Sequence, residues 1–332
     1  MKAVATSARL IGFGAYAPVK VLTNADFEKM VDTSDEWITS RTGIKRRHVV
    51  GDSGEAASDL AIAAARDAIA DANITAEEID LIIIGTVTGD MKTPSTAVIV
   101  QKALGAMNAA AMDINAACVG FLYGLTTARA FVESGMYKTV LVVGVEVLTS
   151  ITNYQDRGTC VLFGDGAGAA IVRATDDRNS GILASHIAAD GNHTELLYVK
   201  AGGSRQKVTI ENMNNGATGI YMNGSEIYKF AVRNMQDAAE RVIAEAGIKP
   251  EDIDLVIPHQ ANIRIIDSLA KRLNVPDEKL FVNIQDYGNT SSASIPIAMV
   301  EARQQGKMKP GDLVLLLSFG GGLVWGAILF RV

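Results

Sequence analysis

Residues 64–84 read AARDAIADANITAEEIDLIII, and residues 238–258 read AAERVIAEAGIKPEDIDLVIP. Eleven of the 21 aligned pairs are identical and no gap is needed, so Asp80 pairs with Asp254 at an offset of 174 residues. Each copy predicts a helix, a short turn with an acidic helix start, and a buried strand made from an unbroken apolar run. Self-similarity at a fixed offset is the mark of an internally repeated unit.

The same offset reaches further along the chain. Asp113-Ile-Asn-Ala-Ala-Cys118 falls on Tyr287-Gly-Asn-Thr-Ser-Ser292, so Asn115 pairs with Asn289. Val140-Leu-Val-Val-Gly144 falls on Val314-Leu-Leu-Leu-Ser318. Buried strands alternating with helices predict α/β halves whose sheets carry helices on both faces. Two such halves, residues 1–174 and 175–332, predict an α/β/α/β/α sandwich of five layers, with the helices that start at Cys118 and near Ser292 as the central layer. Residues from about 180 to 225 break the repeat and are rich in Gly and Asn. They read as hairpins and loops, a flap over a pocket.

The bulk composition bounds the function. The chain has 332 residues, 48% of them apolar and 20% charged, with a net charge of −6. An acidic balance argues against nucleic acid as the main partner, while leaving room for a local basic patch. No apolar run is long enough to span a membrane. The start, Met1-Lys2-Ala3-Val4, leads to Arg9 and a glycine-rich stretch rather than to a signal-peptide core. Two cysteines, Cys118 and Cys160, are too few for a disulfide scaffold and point to a reducing, cytoplasmic compartment.

In open α/β sheets, ligands bind at the carboxyl ends of strands. Cys118 follows one such end, His259 follows Asp254-Leu-Val-Ile-Pro258, and Asn289 follows a third. A helix N-terminus favours an anion and can lower a thiol pKa, which would make Cys118 a nucleophile. A buried, inert cysteine fits the same position, and position alone does not choose. Cys160, beside Val161-Leu162-Phe163, reads as core. His48 ends the basic run Lys45-Arg46-Arg47 and reads as surface. Cys, His and Asn together are a combination used in nucleophilic acyl chemistry, and His with an amide can hold a negative oxygen.

Other signals are weaker. Gly12-Phe-Gly-Ala-Tyr-Ala17 partly matches a dinucleotide fingerprint, but Pro18 and Val19-Lys20-Val21 follow where a helix should open. Gly164-Asp-Gly-Ala-Gly168 lacks the ending of a P-loop and reads as a turn into Ala169–Arg173. No His or Cys spacing suits a metal, so no metal is expected. Trp37 and Arg41 share a helix face, an arrangement suited to an adenine and its phosphates and equally to a core Trp with a solvated Arg.

The ordered set of motifs resembles one family. Asp32-Thr-Ser-Asp-Glu-Trp-Ile38 with Arg41-Thr-Gly-Ile44, Asn115-Ala-Ala-Cys118-Val-Gly-Phe121, His259-Gln-Ala-Asn262, Gly288-Asn289-Thr-Ser-Ser292 and Ser318-Phe-Gly-Gly-Gly322 are similar to those of β-ketoacyl-acyl-carrier-protein synthase III, the initiating condensing enzyme of type II fatty acid synthesis. The resemblance covers essentially the whole chain. It implies a thiolase-like fold and a Cys118–His259–Asn289 triad. Cys118 would take an acyl group from acyl-CoA. Malonyl-acyl carrier protein would then lose CO₂ and attack the acyl-cysteine. The N–H groups of Cys118 and Gly321 would form the oxyanion hole, and Phe319 would line the malonyl side.

The resemblance further implies that Trp37 and Arg157 sandwich the CoA adenine with Arg41 near its phosphates. Gly224, Tyr228 and Asn262 would line the pantetheine tunnel, and Lys229, Arg264, Lys271 and Arg272 would meet the acidic carrier protein. It implies a homodimer and no resident cofactor beyond the CoA thioester substrates. One departure stands out: Thr93, before Pro94, replaces the bulky aromatic of acetyl-preferring members, which implies room for a longer primer. Competing readings are a sister condensing enzyme with other acyl substrates, a non-catalytic acyl-CoA-binding protein on the same scaffold, and a nicotinamide-dependent oxidoreductase.

Overall fold

Two sheets carry the fold, and the four strands of the second repeat four of the five strands of the first. In the computed structural model, residues 6–332 are described; the Met1-Lys2-Ala3-Val4 start lies outside the described residues. The first sheet contains β1 (Ser7–Tyr16), β2 (Leu81–Gly85), β3 (Ala110–Ile114), β4 (Thr139–Val147) and β5 (Asp165–Thr175), in the order β1-β5-β4-β2-β3. The second contains β6 (Gly181–Ala189), β7 (Leu255–Pro258), β8 (Leu313–Gly320) and β9 (Val324–Arg331), in the order β6-β9-β8-β7.

Register repeats as well as order. Leu81 pairs with Val140 in the parallel β2–β4 ladder, and Leu255 pairs with Val314 in the parallel β7–β8 ladder. Both residues of the second pair lie 174 positions after those of the first. The counterpart of β3 is missing from the second sheet, where a helical turn, Ile284–Tyr287, takes its place. The expectation for residues 180–225 therefore needs correcting at its start. Gly181–Ala189 is the equivalent of β1, a full strand of the second sheet. The irregular part begins at Asp190 and contains the short strand pair Leu197–Val199 and Ile220–Met222.

The long helices are α1 (Asp35–Thr42), α2 (Ala57–Asp71), α3 (Thr96–Leu104), α4 (Gly120–Glu133), α5 (Gly224–Ala246), α6 (Ile263–Leu273) and α7 (Ser294–Gln304). Side chains alternate across a strand, and the two faces of each sheet feed different cores. Val140 and Val142 of β4 join Val314 and Leu316 of β8 in one cluster with α4 and α7 between the sheets. Leu141, Val143 and Val145 face the other way, onto α2 and α3. Leu315 and Leu317 of β8 face α5 and α6. The layers are thus helix, sheet, helix, sheet, helix, as the duplicated sequence predicts. Burying each such Leu or Val contributes about 1.5–3 kcal/mol, which is why strands covered on both faces read as unbroken apolar runs.

The glycines at Gly12 and Gly14 have a packing role. They lie inside β1, and a Cβ on Gly14 would come within 2.1 Å of the Ala64 carbonyl oxygen. Their bareness lets α2 lie directly on the strand, and no helix opens after them for a dinucleotide.

A fourth apolar cluster caps one end of the sandwich. Phe27, Ile38, Leu148, Cys160 and Phe163 belong to it, with Trp37 packed at its margin. This cap and the irregular segment after Asp190 close the walls of the site described next.

Candidate active site

A cavity of about 760 Å³ opens beside the carboxyl ends of the strands, and Cys118, His259 and Asn289 all line it. Each arrives by a different local device. Cys118 is the middle residue of a 3₁₀ turn, Ala117–Val119, that leads into α4. Ala117 enters this turn with a left-handed backbone, φ 44°. His259 follows β7, and its N–H is held by the Leu317 carbonyl at 2.7 Å. Asn289 is pinned through its backbone: its N–H donates to Leu162 O at 2.8 Å and its carbonyl accepts from Gly164 N at 3.0 Å.

Side-chain contacts then aim the groups. His259 Nδ1 meets Ser294 Oγ at 2.6 Å, which leaves Nε2 for the cavity. A serine hydroxyl can donate or accept, so Ser294 supports either tautomer of the ring. The imidazole is buried, and burial lowers its pKa to about 3, so the ring is neutral at physiological pH. Asn289 Oδ1 accepts from Ser291 N at 2.8 Å, which leaves the amide N–H₂ as the free donor. Ser318 Oγ donates to the Cys118 carbonyl at 2.8 Å and fixes the turn from the second half.

The thiol departs from the expectation drawn from its helix-start position. Burial raises the Cys118 pKa to about 11, with a smaller push from Glu146, against stabilisation from Ser291 and the backbone. Desolvation outweighs the few N–H groups of a short turn, so the resting residue is a thiol whose proton must leave when substrate arrives. Cys160 is buried in the apolar cap, and both cysteines are free.

The wider set divides. Trp37, Arg41, Gly224, Tyr228, Asn262, Arg264, Lys271 and Phe319 line the cavity with the three central residues. Trp37 sits in the first turn of α1, its N–H capped by Ser34 Oγ at 3.1 Å. The Arg41 and Arg157 guanidinium carbons lie 4.9 Å and 5.5 Å from its ring centroid. Arg157 is beside the cavity rather than on its wall, because it is held outward on the Asp32 carbonyl at 2.8 Å. Asn262 caps α6 by accepting from Arg264 N at 2.9 Å. Tyr228 Oη and Ser268 Oγ, 2.6 Å apart, join α5 to α6 at the cavity wall. Lys229 and Arg272 lie outside the cavity, against Glu226 and Gln236 respectively.

Gly320 lies against Cys118, where a Cβ on it would sit 2.8 Å from the Cys118 nitrogen, and Gly321 faces Leu197. Thr93 is exposed and does not line the cavity, because the loop carrying it leads to α3, whose first N–H groups are tied to Asp113 of β3. His48 is half-buried rather than on the surface, with Nδ1 at 2.6 Å from Pro18 O and its ring stacked on Tyr287. Ser291, Ser318 and Gly320 lie within the motifs quoted above but were assigned no role, and Ser294 lies outside them. The offset of 174 residues would have pointed to them, since they are the partners of Ala117, Gly120, Gly144 and Glu146.

A duplicated five-layer sandwich that brings Cys, His and Asn into one cavity defines a condensing enzyme of the thiolase fold, an acyltransferase that works through a cysteine. The family model for 3-oxoacyl-[acyl-carrier-protein] synthase III matches residues 112–191, and the model for its C-terminal part matches residues 243–332. The beta-ketoacyl-[acyl-carrier-protein] synthase III of Caldanaerobacter subterraneus is 51% identical over 325 residues, 98% of each chain. The crystal structure of 3-oxoacyl-[acyl-carrier-protein] synthase III from Aquifex aeolicus superposes with a TM-score of 0.91 at 50% identity, covering 98% of this chain and 100% of that one. A priming beta-ketosynthase of a polyketide pathway matches with a TM-score of 0.89 at 34% identity, covering 98% and 96%. The chain belongs to the 3-oxoacyl-[acyl-carrier-protein] synthase III family, whose members carry out the initiating condensation of fatty acid synthesis.

Proposed function

We propose that this chain joins an acyl-CoA primer to malonyl-acyl carrier protein by decarboxylative Claisen condensation, with Cys118 as nucleophile. The observation that carries this reading is the convergence of Cys118, His259 and Asn289 in one cavity whose mouth is lined by Trp37 and Arg41.

In the first half-reaction His259 holds its Nδ1 proton on Ser294, and Nε2 takes the Cys118 proton as sulfur attacks the thioester carbon. The proton passes to the departing CoA sulfur. The negative oxygen rests on the N–H groups of Cys118 and Gly321, where fixed donors cost no reorganisation. In the second half-reaction Ser294 donates to Nδ1 and Nε2–H faces the cavity. The malonyl C–CO₂ bond breaks, and its electron pair moves onto the thioester oxygen. That oxygen is held by His259 Nε2–H and Asn289 N–H₂. The carbanion carbon then forms the new C–C bond, the C–S bond to Cys118 breaks, and the released thiolate takes a proton from water to restore the thiol. A neutral His259 suits both tasks, since it can accept one proton and later donate a hydrogen bond. Phe319, buried on the wall, makes a carboxylate beside it unfavourable and so favours loss of CO₂.

Trp37 and Arg157 are read as the adenine slot, and Arg41 as a phosphate partner. Gly224, Tyr228 and Asn262 border the pantetheine arm. Arg264 and Lys271 at the mouth, with Lys229 and Arg272 outside it, attract an acidic carrier protein through their local field despite the negative net charge. No resident cofactor is required. Free cysteines suit a reducing cytoplasm.

A homodimer forms along β3, the open edge of the first sheet, whose unpaired backbone groups a second copy can extend. The Thr93 loop, tethered to β3, then lies at that interface and reaches the partner's primer pocket. A small residue there accommodates primers longer than acetyl.

Intact-mass spectrometry after incubation with mixed acyl-CoAs tests the reading. The chain should gain one acyl group, absent in Cys118→Ala, and should release 3-oxoacyl-carrier protein when malonyl-carrier protein is added. Absence of the adduct in the native chain would end it.

A further inference from the structure

Behind the cavity wall lies a buried acid that the chemistry above leaves unused. Glu146, near the end of β4, is fully buried. Its carboxylate accepts from Thr88 Oγ1 at 2.5 Å, Val87 N at 3.1 Å, Thr86 Oγ1 at 3.3 Å and Ser291 Oγ at 3.2 Å. Among the described residues, no Lys, Arg or His is within ion-pair distance of it. A carboxyl group in a core with no cation beside it is costly unless its hydrogen bonds do something else.

Ser291 is the link to the reacting atoms. Its N–H holds Asn289 Oδ1, its hydroxyl donates to the Glu146 carboxylate at 3.2 Å, and its turn, Ser291–Ala293, packs against the Ala117–Val119 turn of Cys118, whose thiolate it favours. A hydroxyl has one proton to give, so it cannot serve the carboxylate and the sulfur together. The duplication sharpens the point. The counterpart of Glu146 is Gly320, the residue against the Cys118 nitrogen. One half thus keeps bare backbone beside the nucleophile, where the other keeps a carboxylate beside Ser291.

We propose that Glu146 is a positioning residue that acts through Ser291, directing the Ser291 proton either to its own carboxylate or to the sulfur of Cys118. This rests on Cys118 being the nucleophile, as read above. With Glu146 ionised, the hydroxyl donates to the carboxylate, and a negative charge faces the sulfur. Both effects disfavour the thiolate. With Glu146 protonated, the hydroxyl is released to donate to sulfur and the charge is gone. Burial holds Glu146 at about 7, so both states are populated near neutrality. Of the groups facing it from β4, from residues 86–88 and from the Ser291 turn, the Cys118 thiol is the titratable one.

The test is the rate of Cys118 alkylation by iodoacetamide from pH 5.5 to 10, located by peptide mass, with melting temperature measured alongside. The native chain, Glu146→Gln, Ser291→Ala and the double variant are compared. The native profile should show an inflection near pH 7. It should vanish in Glu146→Gln, with alkylation at pH 8 faster by roughly tenfold, the effect of one pKa unit. It should shrink in Ser291→Ala, where only the direct charge of Glu146 remains, and Glu146→Gln should gain clearly less on that background than in the native chain, because coupled residues are not additive.

Parallel profiles in the native chain and Glu146→Gln, or effects that multiply independently, overturn the proposal. A residue with only a packing role would move the melting temperature and leave the profile in place. Should Glu146→Gln not fold, Ser291→Ala decides alone. Ala117 holds the same left-handed conformation in the other half, so alanine is tolerated there, and an unchanged inflection in Ser291→Ala overturns the proposal. Alkylation needs no acyl substrate, so failure here is separable from failure of the acyl-transfer reading.

Discussion

Ser292 stands in the second half where Cys118 stands in the first. The two are 174 residues apart, and each is the middle of a 3₁₀ turn entered by a left-handed residue, Ala117 at φ 44° and Ser291 at φ 49°. Ser292 Oγ donates to the Gly85 carbonyl at 2.7 Å, and Gly85 is the counterpart of His259. One half of the duplicated unit therefore holds thiol and imidazole, and the other holds a hydroxyl donating to a backbone carbonyl. The hydroxyl is committed to that carbonyl, has no imidazole beside it and does not line the cavity.

Cys118→Ser should accordingly lose acyl transfer by roughly 10⁴-fold while keeping its melting temperature, since a triad member is lost and the packing is not. Ser292→Cys placed on that background should restore nothing. Acylation measured by intact mass checks both, and a regained adduct in the double variant would contradict the asymmetry.

His259 depends on Ser294 for its two tautomers. Ser294→Ala removes the partner of Nδ1 and should slow both half-reactions by roughly 10²-fold, the usual scale for a misdirected acid–base group. His259→Ala should impair malonyl decarboxylation more than acylation, because it also removes one of the two donors to the enolate oxygen. CO₂ release and acyl-adduct formation, measured separately, distinguish these. Equal losses in the two steps for His259→Ala would remove the donor role.

Much of this arrangement was legible beforehand for one physical reason: duplication preserves spacing. The Leu81 and Leu255 strands, the central helices and the three strand ends follow from an offset that survives in the apolar runs. The state of Cys118 was not legible, because a helix start advertises its N–H groups while desolvation depends on everything packed around it. The wall that Thr93 faces was not legible for a related reason. Its neighbour Pro94 marks a turn but says nothing about which wall the turn reaches. Glu146 was invisible, since an acid inside VLVVGVEV breaks the apolar pattern without naming its partners.

The proposed adenine slot has a geometry that can be probed. A planar group needs about 3.5–4 Å on each face, roughly 7–8 Å in all, and Arg157 stands only 5.5 Å from the Trp37 centroid. Arg157 must swing away from Asp32 to admit an adenine, and its half-exposed side chain can do so. Trp37→Ala should raise KM for acyl-CoA by roughly 10- to 100-fold, matching the 1–3 kcal/mol of base stacking, with little change in KM for malonyl-carrier protein. Asp32→Ala, which leaves only the carbonyl to hold Arg157, should not raise KM for acyl-CoA. A rise in Asp32→Ala would show that the ion pair holds the slot open rather than shut.

Glu146 and His259 pull stability in opposite directions as pH changes. Between about 4.5 and about 7 the native chain keeps a proton on Glu146 that the unfolded chain releases, so this group's contribution falls as pH rises. Between about 3 and 6.5 the unfolded chain keeps a proton on His259 that the native chain excludes, so this contribution rises with pH. The two nearly cancel from 4.5 to 6.5, where both windows overlap. Glu146→Gln removes one side of the balance. Relative to the native chain, its unfolding free energy should then climb with pH by about 1.4 kcal/mol per unit across that window. Urea unfolding at pH 4.5, 5.5 and 6.5 measures the difference between the two curves, in which every unchanged group drops out. Parallel curves would mean that Glu146 is already ionised at the acid end, and the carboxylate behind Cys118 would then have no second state near neutrality.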